Sequence, residues 1–132
     1  MAKQFSNSAF LTALWDLLYN NLGTTYKIYQ TAPEGTKFPY ITLGECFDND
    51  DEGLRDKTND ASEVNGEIKI WSKQGTEEIT GIADAIAPYL PSLTLTGFNI
   101  IKRSQGLRIQ QDPDGKTWQG IIEIELRLDQ TA

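Results

Sequence analysis

Acidic side chains are the most concentrated chemical groups in this sequence. Asp48, Asp50, Glu52 and Gly53 stand at the spacing of positions 1, 3, 5 and 6 of a calcium-binding loop. The last position of such a loop needs a bidentate glutamate, whereas this sequence has Asn59 there. Predicted strands flank the run, where a calcium loop has helices. We therefore interpret the run as a solvated acidic loop and predict no metal site.

Two other places could in principle catalyse a reaction. Asp112 and Asp114 form a carboxylate pair of the general acid–base type, but Pro113 and Gly115 predict a tight turn in which aspartate has a conformational role. Cys46 is the only cysteine, and the chain contains no histidine that could activate it. We interpret Cys46 as a small, half-buried hydrophobic residue. The missing histidine also excludes Ser-His pairs, so we expect no catalytic residue and no cofactor.

Length and charge narrow the class of protein further. A chain of 132 residues with 39% hydrophobic content fits one globular domain, residues 1–132. The net charge of −7 makes it a poor binder of phosphate backbones, so we expect no sequence-specific binding of nucleic acid. No apolar run is long enough for a membrane span, and we expect no membrane partner and no signal peptide. A single cysteine forms no intrachain disulfide, which is typical of a reducing compartment.

Helical periodicity predicts a first helix over residues 8–22, with an apolar face wider than the usual stripe. Trp15 and Tyr19 widen that face. One interpretation is a helix sunk in the hydrophobic core. The other is that the edge formed by Trp15 and Tyr19 contacts another subunit. A second helix, residues 76–87 or a little further, has a single apolar stripe and ends where prolines follow.

Alternation of apolar and polar residues predicts six strands around these helices. They cover residues 26–30, 38–47, 62–71, 93–101, 107–111 and 118–129. Pro39 predicts a sheet-edge position for the second strand, and a change of phase near Gly97 predicts a bulge. The order α-β-β-β-α-β-β-β favours an α+β fold. We predict a two-layer sandwich, with a mostly antiparallel sheet and both helices on one face.

The connection over residues 48–60 is longer than most loops of compact domains and is rich in carboxylates. It holds little apolar surface to offset the entropy cost of ordering, so we expect it to be mobile in an isolated subunit. Our hypothesis is that it becomes ordered on assembly. Leu54 and Arg55 would be the contacts, and carboxylates including Asp50, Asp51 and Glu52 would set the register against basic groups of a neighbour. The alternative is a passive solvating loop.

Four stretches together resemble the tail completion, or tail terminator, proteins of long-tailed bacteriophages. They are residues 10–14 of the first helix, residues 32–35 with 38–45, residues 68–72 running on into 82–86, and the turn 112–117 before a charged final strand. The proline–aromatic entry Phe38-Pro39-Tyr40 and the passage from Trp71 into the second helix are the most specific parts. The likeness spans nearly the whole chain.

The resemblance implies a structural role. Members of this family cap the tail tube as a hexameric ring and contact a head-side connector or stopper protein. They have no catalytic residues to carry over. It further implies a place at the head–tail junction of the virion, with assembly in the host cytoplasm. The alternative from another class is a monomeric α+β binding module, or a small enzyme with an unidentified ligand. That alternative predicts a concave pocket with converging polar groups.

Overall fold

The computed structural model describes residues 6–50 and 61–130. Two helices and a five-stranded sheet form the two layers of an α+β domain in these ranges, which confirms the predicted fold class. The elements in chain order are α1 (Asn7–Leu22), β1 (Ile28–Tyr29), β2 (Tyr40–Asp50), β3 (Ala61–Ser72), α2 (Thr76–Ile86), a 3-10 helix (Ala87–Ser92), β4 (Phe98–Gln111) and β5 (Trp118–Gln130).

The sheet has the strand order β1-β2-β3-β5-β4. The short β1 runs parallel to β2, and the remaining neighbours pair antiparallel. The sheet is therefore mixed but mostly antiparallel, as the alternation of residues predicts. β1 and β4 are its edge strands.

Both helices pack on the same face of the sheet, and glycines on that face let them approach closely. A Cβ atom on Gly66 of β3 would lie 2.1 Å from Cε1 of Phe10, a fully buried residue of α1. A Cβ on Gly120 of β5 would lie 2.3 Å from Cγ2 of Ile79, a fully buried residue of α2. The ring of Phe10 and the side chain of Ile79 thus each fill the space above a strand glycine, and these contacts fix the spacing between the two layers.

The alternation along β3 and β5 separates a face toward the helices, which is buried apart from the half-buried Trp118, from an outward face. The inward set comprises Val64, Ile68, Ile70, Ile122, Ile124, Leu126 and Leu128, all of them buried. Ile121 is on the opposite, outward face as predicted, yet it is only 3% exposed. Its cross-strand partners are Lys69 and Arg108. Their long aliphatic stems can cover an apolar side chain and leave the charged ends in water.

The structure differs from the prediction after the second helix. The two strands predicted over 93–101 and 107–111 are one continuous strand, β4, so the described part of the chain forms five strands and not six. Leu93 and Leu95 are buried in the connection before β4, where they belong to the core without being in the sheet. Gly97 adopts φ +87° in a turn before the strand. The irregularity in pairing lies between Ile100 and Lys102, slightly further along than predicted.

The second and third strands are also longer than predicted. β2 extends to Asp50 and β3 begins at Ala61, with Asp48 paired to Val64. Residues 51–60 of the predicted connection 48–60 lie outside the described residues. The expectation of an edge position at the start of β2 is wrong, because β1 pairs there with Ile41 and Thr42. Beyond those two residues, in the described part of the chain, β2 has a strand partner only on its β3 side.

Candidate interaction surfaces

The sequence-predicted aromatic edge of α1 exists as a stacked pair. The rings of Trp15 and Tyr19 have centroids 5.6 Å apart and an interplanar angle of 16°. Tyr19 is 55% exposed, whereas Trp15 is half-buried and packs against the core. The interpretation of a helix sunk in the core is confirmed for its buried residues, such as Leu14 and Leu18. Contact of the Trp15–Tyr19 edge with another subunit stays a prediction.

The predicted contacts of the acidic connection fall mainly outside the described residues. Leu54, Arg55, Asp51 and Glu52 lie there. Asp50 is the last residue of β2, and its backbone is in register with Ser62 of β3. The role of these five residues stays a prediction.

Strand β4 presents the most exposed regular backbone among the described residues. From Ile101 to Arg108 every residue is exposed, on both faces of the strand. Two of them are apolar, with Ile101 55% exposed and Leu107 43% exposed. The helices lie over β2, β3 and β5, which leaves most of β4 uncovered. A long edge strand with unpaired backbone groups and apolar side chains is a surface that other strands can join.

Another exposed apolar residue lies near the opposite lateral edge of the sheet, on β2. Phe47 of β2 is 59% exposed, and with Glu45 and Glu67 it borders a shallow hollow. Nearby, α1 anchors to this part of β2, because Asn7 Nδ2 donates a hydrogen bond to the carbonyl of Cys46 at 3.0 Å. Asp48 Oδ2 accepts hydrogen bonds from the backbone N–H and the hydroxyl of Ser6, each at 2.6 Å.

Half-buried aromatic rings cluster where β2 begins, in the stretch that carries the strongest sequence resemblance. Tyr40 stacks on its cross-strand partner Trp71 at 6.1 Å and contacts Phe38 at 5.1 Å. Trp71 Nε1 donates a hydrogen bond to Thr42 Oγ1 at 3.0 Å. Lys73 Nζ lies 5.0 Å from the centre of the Phe38 ring. Packing of this kind fixes the entry of β2 against the end of β3.

Of the two carboxylates in the turn, that of Asp114 has a conformational role, whereas Asp112 contributes backbone hydrogen bonds with Thr117 and Gly115. Asp114 Oδ1 accepts hydrogen bonds from the backbone N–H groups of Lys116 and Thr117, at 2.8 and 2.9 Å. Oδ2 accepts one from the Thr117 hydroxyl at 2.8 Å. These hydrogen bonds lower the pKa of Asp114 and so stabilise its ionised form. A carboxylate held this way shapes the β4–β5 turn and is poorly suited to accept or donate a proton near neutral pH.

Cys46 is half-buried, as predicted. Burial raises the pKa of its thiol to about 11, against a lowering by the hydrogen bond from Asn7 and with a further rise from the charge of Asp48. A thiol with such a pKa is almost wholly protonated at neutral pH and is a weak nucleophile.

Within residues 6–50 and 61–130, no group of three or more His, Cys, Asp or Glu side chains is placed to hold a metal ion. No helix in the same ranges is long and apolar enough to cross a membrane.

Sequence reasoning missed the exposed surfaces at the two sides of the sheet. Phe47, Ile101 and Leu107 belong to strands whose alternation predicts only which residues share a face. Exposure depends on where the helices lie and on which strand is at the edge, and these are properties of the tertiary fold. The signal that could have indicated β4 is its mixed composition, with apolar residues scattered among Lys102 and Arg103 and no clear inward set.

Comparison with known proteins agrees with this architecture. The model of the family described as Tail completion protein gp17 matches residues 12–129. A solved structure titled "Virion of native gene transfer agent (GTA) particle" contains a chain with a TM-score of 0.71 and 14% sequence identity. The alignment covers 94% of this chain and 97% of that chain, so the likeness shows a shared fold over the full domain. No curated protein matches the sequence.

The fold is a two-layer α+β domain with exposed apolar residues on α1, β2 and β4. The chain belongs to the tail completion protein gp17 family, since the match spans nearly its whole length. It is a structural protein of a phage tail.

Proposed function

We propose that this protein caps the phage tail tube and joins it to the head connector as a hexameric ring, without catalysing a reaction. The observation that carries the proposal is the family match over residues 12–129. Tail completion describes an end point of assembly, and a protein that ends a tube must bind the last tube ring on one side. Its partners are then copies of itself, the tail tube protein, and a connector or stopper protein on the head side.

The exposed surfaces support an assembly role. A subunit in a ring uses two different patches, each contacting a different neighbour, and the ring closes when the rotation between subunits closes. The described residues offer apolar side chains at separate places, with Tyr19 on α1, Phe47 on β2 and Ile101 on β4. Apolar groups exposed on a small subunit gain stability when a partner removes them from water.

We also propose that the segment between β2 and β3 takes part in assembly. Its Leu54 and Arg55 would contact a neighbouring subunit or the tube, and Asp50, Asp51 and Glu52 would align the contact against basic groups. The support is its position in the chain, because β2 and β3 form a long hairpin whose connection departs from Asp50 and returns at Ala61. By the same proposal the protein acts at the head–tail junction of the virion, after assembly in the host cytoplasm.

Solution mass over a concentration series tests the ring. We expect a monomer at low concentration and a hexamer at high concentration or on tail tubes, measured by light scattering after size-exclusion chromatography. A protein that stays monomeric and also fails to bind tubes would contradict the proposal and would favour a monomeric binding module.

A further inference from the structure

Strand β4, at one lateral edge of the sheet, and the outer part of β2, near the other lateral edge, carry charges of opposite sign. Strand β4 contains Lys102, Arg103 and Arg108 and no acidic residue, although the whole chain has a net charge of −7. Arg108 pairs with Glu123 of β5 at 3.4 Å, with both side chains more than half exposed. Lys102 and Arg103 are exposed at the edge itself. The β4 edge is therefore locally basic on an acidic protein.

The outer segment of β2, from Leu43 to Asp50, lies beyond the residues that β1 covers and contains only acidic charges. Glu45 is exposed, and Glu67 of the adjoining β3 lies beside it across Gly44, with a Cβ on Gly44 falling 2.9 Å from the Cβ of Glu67. Asp48 is engaged by Ser6, so it contributes charge but is not a ready contact. The exposed apolar residues of β4 thus lie on a strand whose own charges are all cations, although Glu123 and Glu125 of β5 lie beside them. Phe47 lies on a segment whose own charges are all carboxylates, with Lys69 of β3 near Gly44.

Strand directions allow these two sides to meet. β2 is antiparallel to β3, β3 to β5, and β5 to β4, so β4 runs antiparallel to β2 within one subunit. If a second copy lies beside the first in the same orientation, its β4 reaches the outer segment of β2 as a further antiparallel neighbour. The side chain of Asn7 already occupies the carbonyl of Cys46, so contact at that residue is through side chains.

We propose that β4 of one subunit docks on the outer segment of β2, centred on Glu45 and Phe47, of a second copy of this chain. The proposal rests on the proposed ring and names the surface that builds it. The alternative pairing of two β4 edges would place cations against cations, which disfavours it. A β4-to-β2 contact is head-to-tail, so repeated contacts extend until they close a ring.

Charge reversal on each side tests this contact. We expect Lys102→Glu with Arg103→Glu, and separately Glu45→Lys with Glu67→Lys, to raise the concentration needed for half-assembly by roughly tenfold or more. The matched controls reverse two exposed charges elsewhere, Lys37→Glu with Lys116→Glu, and Glu77→Lys with Asp84→Lys. The controls should assemble like the wild type, and thermal unfolding checks that each variant is folded.

Mixing the two edge variants gives the decisive outcome. Each variant has one reversed and one native side, so the reversed β4 of one meets the reversed β2 of the other, and the native sides meet in turn. An equimolar mixture should therefore recover assembly that neither variant shows alone. If Glu45→Lys with Glu67→Lys assembles normally, or if the mixture of folded variants stays unassembled, the contact is wrong.

Failure of this contact is distinguishable from failure of the proposed function. A wild-type protein that forms rings and caps tubes, with both edge variants unaffected, would reject the β2–β4 contact alone. A wild-type protein that forms no ring and caps no tube would reject the proposed function, and the contact with it.

Discussion

Single glycines set the distance between the helices and the sheet. A Cβ on Gly66 would lie 2.1 Å from Phe10 Cε1, and Phe10 is fully buried, so neither the ring nor the strand can move away without opening the core. We expect Gly66→Ala to lower the free energy of unfolding by about 2–4 kcal/mol. Chemical denaturation of the isolated subunit measures the change.

Gly81 provides the control. It is exposed within α2, and a Cβ there would meet nothing within 4 Å. Gly81→Ala should raise the free energy of unfolding by roughly 0.5–1 kcal/mol, because alanine favours the helix more than glycine does. Equal effects of the two substitutions would show that Gly66 is not the point of close approach between Phe10 and β3.

The thiol of Cys46 predicts a dependence of stability on pH. Its pKa is raised to about 11 in the folded protein, so between the ordinary value of 9.0 and about 11 the unfolded chain loses its proton first. The folded state then binds more protons than the unfolded state, and stability falls as the pH rises through this window. We expect the wild type to lose more stability there than Cys46→Ala. If the free energy of unfolding of the two proteins falls in parallel with pH, the pKa of the Cys46 thiol is not raised in the folded state.

Among individual residues, the sequence was a good guide to facing direction and a poor guide to contacts. The alternation of Val64, Ile68 and Ile70 predicts a buried face because the strand period alone assigns it. The burial of Ile121 on the outward face could not be predicted from alternation, since its cross-strand neighbours Lys69 and Arg108 belong to two other strands. The positions of glycines beneath Phe10 and Ile79 likewise follow only from the packed layers.

Among the elements, β4 was the hardest to predict. A strand with one buried face shows clear alternation, but β4 is exposed from Ile101 to Arg108, so its residues are not selected for a buried face. The polar stretch that the sequence indicates as a break is therefore part of one continuous edge strand. In contrast, the start of α2 at Thr76 was predicted correctly and its end approximately, because its single apolar stripe is buried against the sheet.

The hairpin formed by β2 and β3 carries a prediction about its acidic connection. Deleting residues 51–56 keeps the pairing of Asp50 with Ser62 and removes several of the carboxylates. We expect little change in subunit stability, because the deletion removes no described core residue, and a clear loss of ring formation or tube capping. A stable deletion variant that caps tubes as well as the wild type would show that the segment is only a solvating loop.

For the whole molecule, the order of elements was sufficient for the fold class. Two helices separated by antiparallel strands must share one face of the sheet if both are to bury their apolar stripes, and the structure has this arrangement. The site was less predictable. Trp15 and Tyr19 were found from helical spacing, but the charged sides of the sheet depend on β2 and β4 being far apart in the strand order, which periodicity does not specify.

The acidic character of the molecule predicts that it does not bind DNA. A ring through which DNA passes should present a neutral or negative wall so that the strand does not adhere. The net charge of −7 fits this, and we expect no measurable binding of a short duplex at low salt in fluorescence anisotropy. Micromolar affinity with a steep salt dependence would contradict it.

The central claim is that this family member ends the tail tube as a ring, and electron microscopy of tubes assembled in its presence tests it most directly. Tail tube protein polymerised with the purified chain should give tubes that carry a ring of this protein at one end and do not elongate when more tube protein is added. The Lys102→Glu with Arg103→Glu variant, if folded, should leave most ends open. Tubes that keep growing with no density at their ends, in the presence of folded wild-type protein, would contradict the claim.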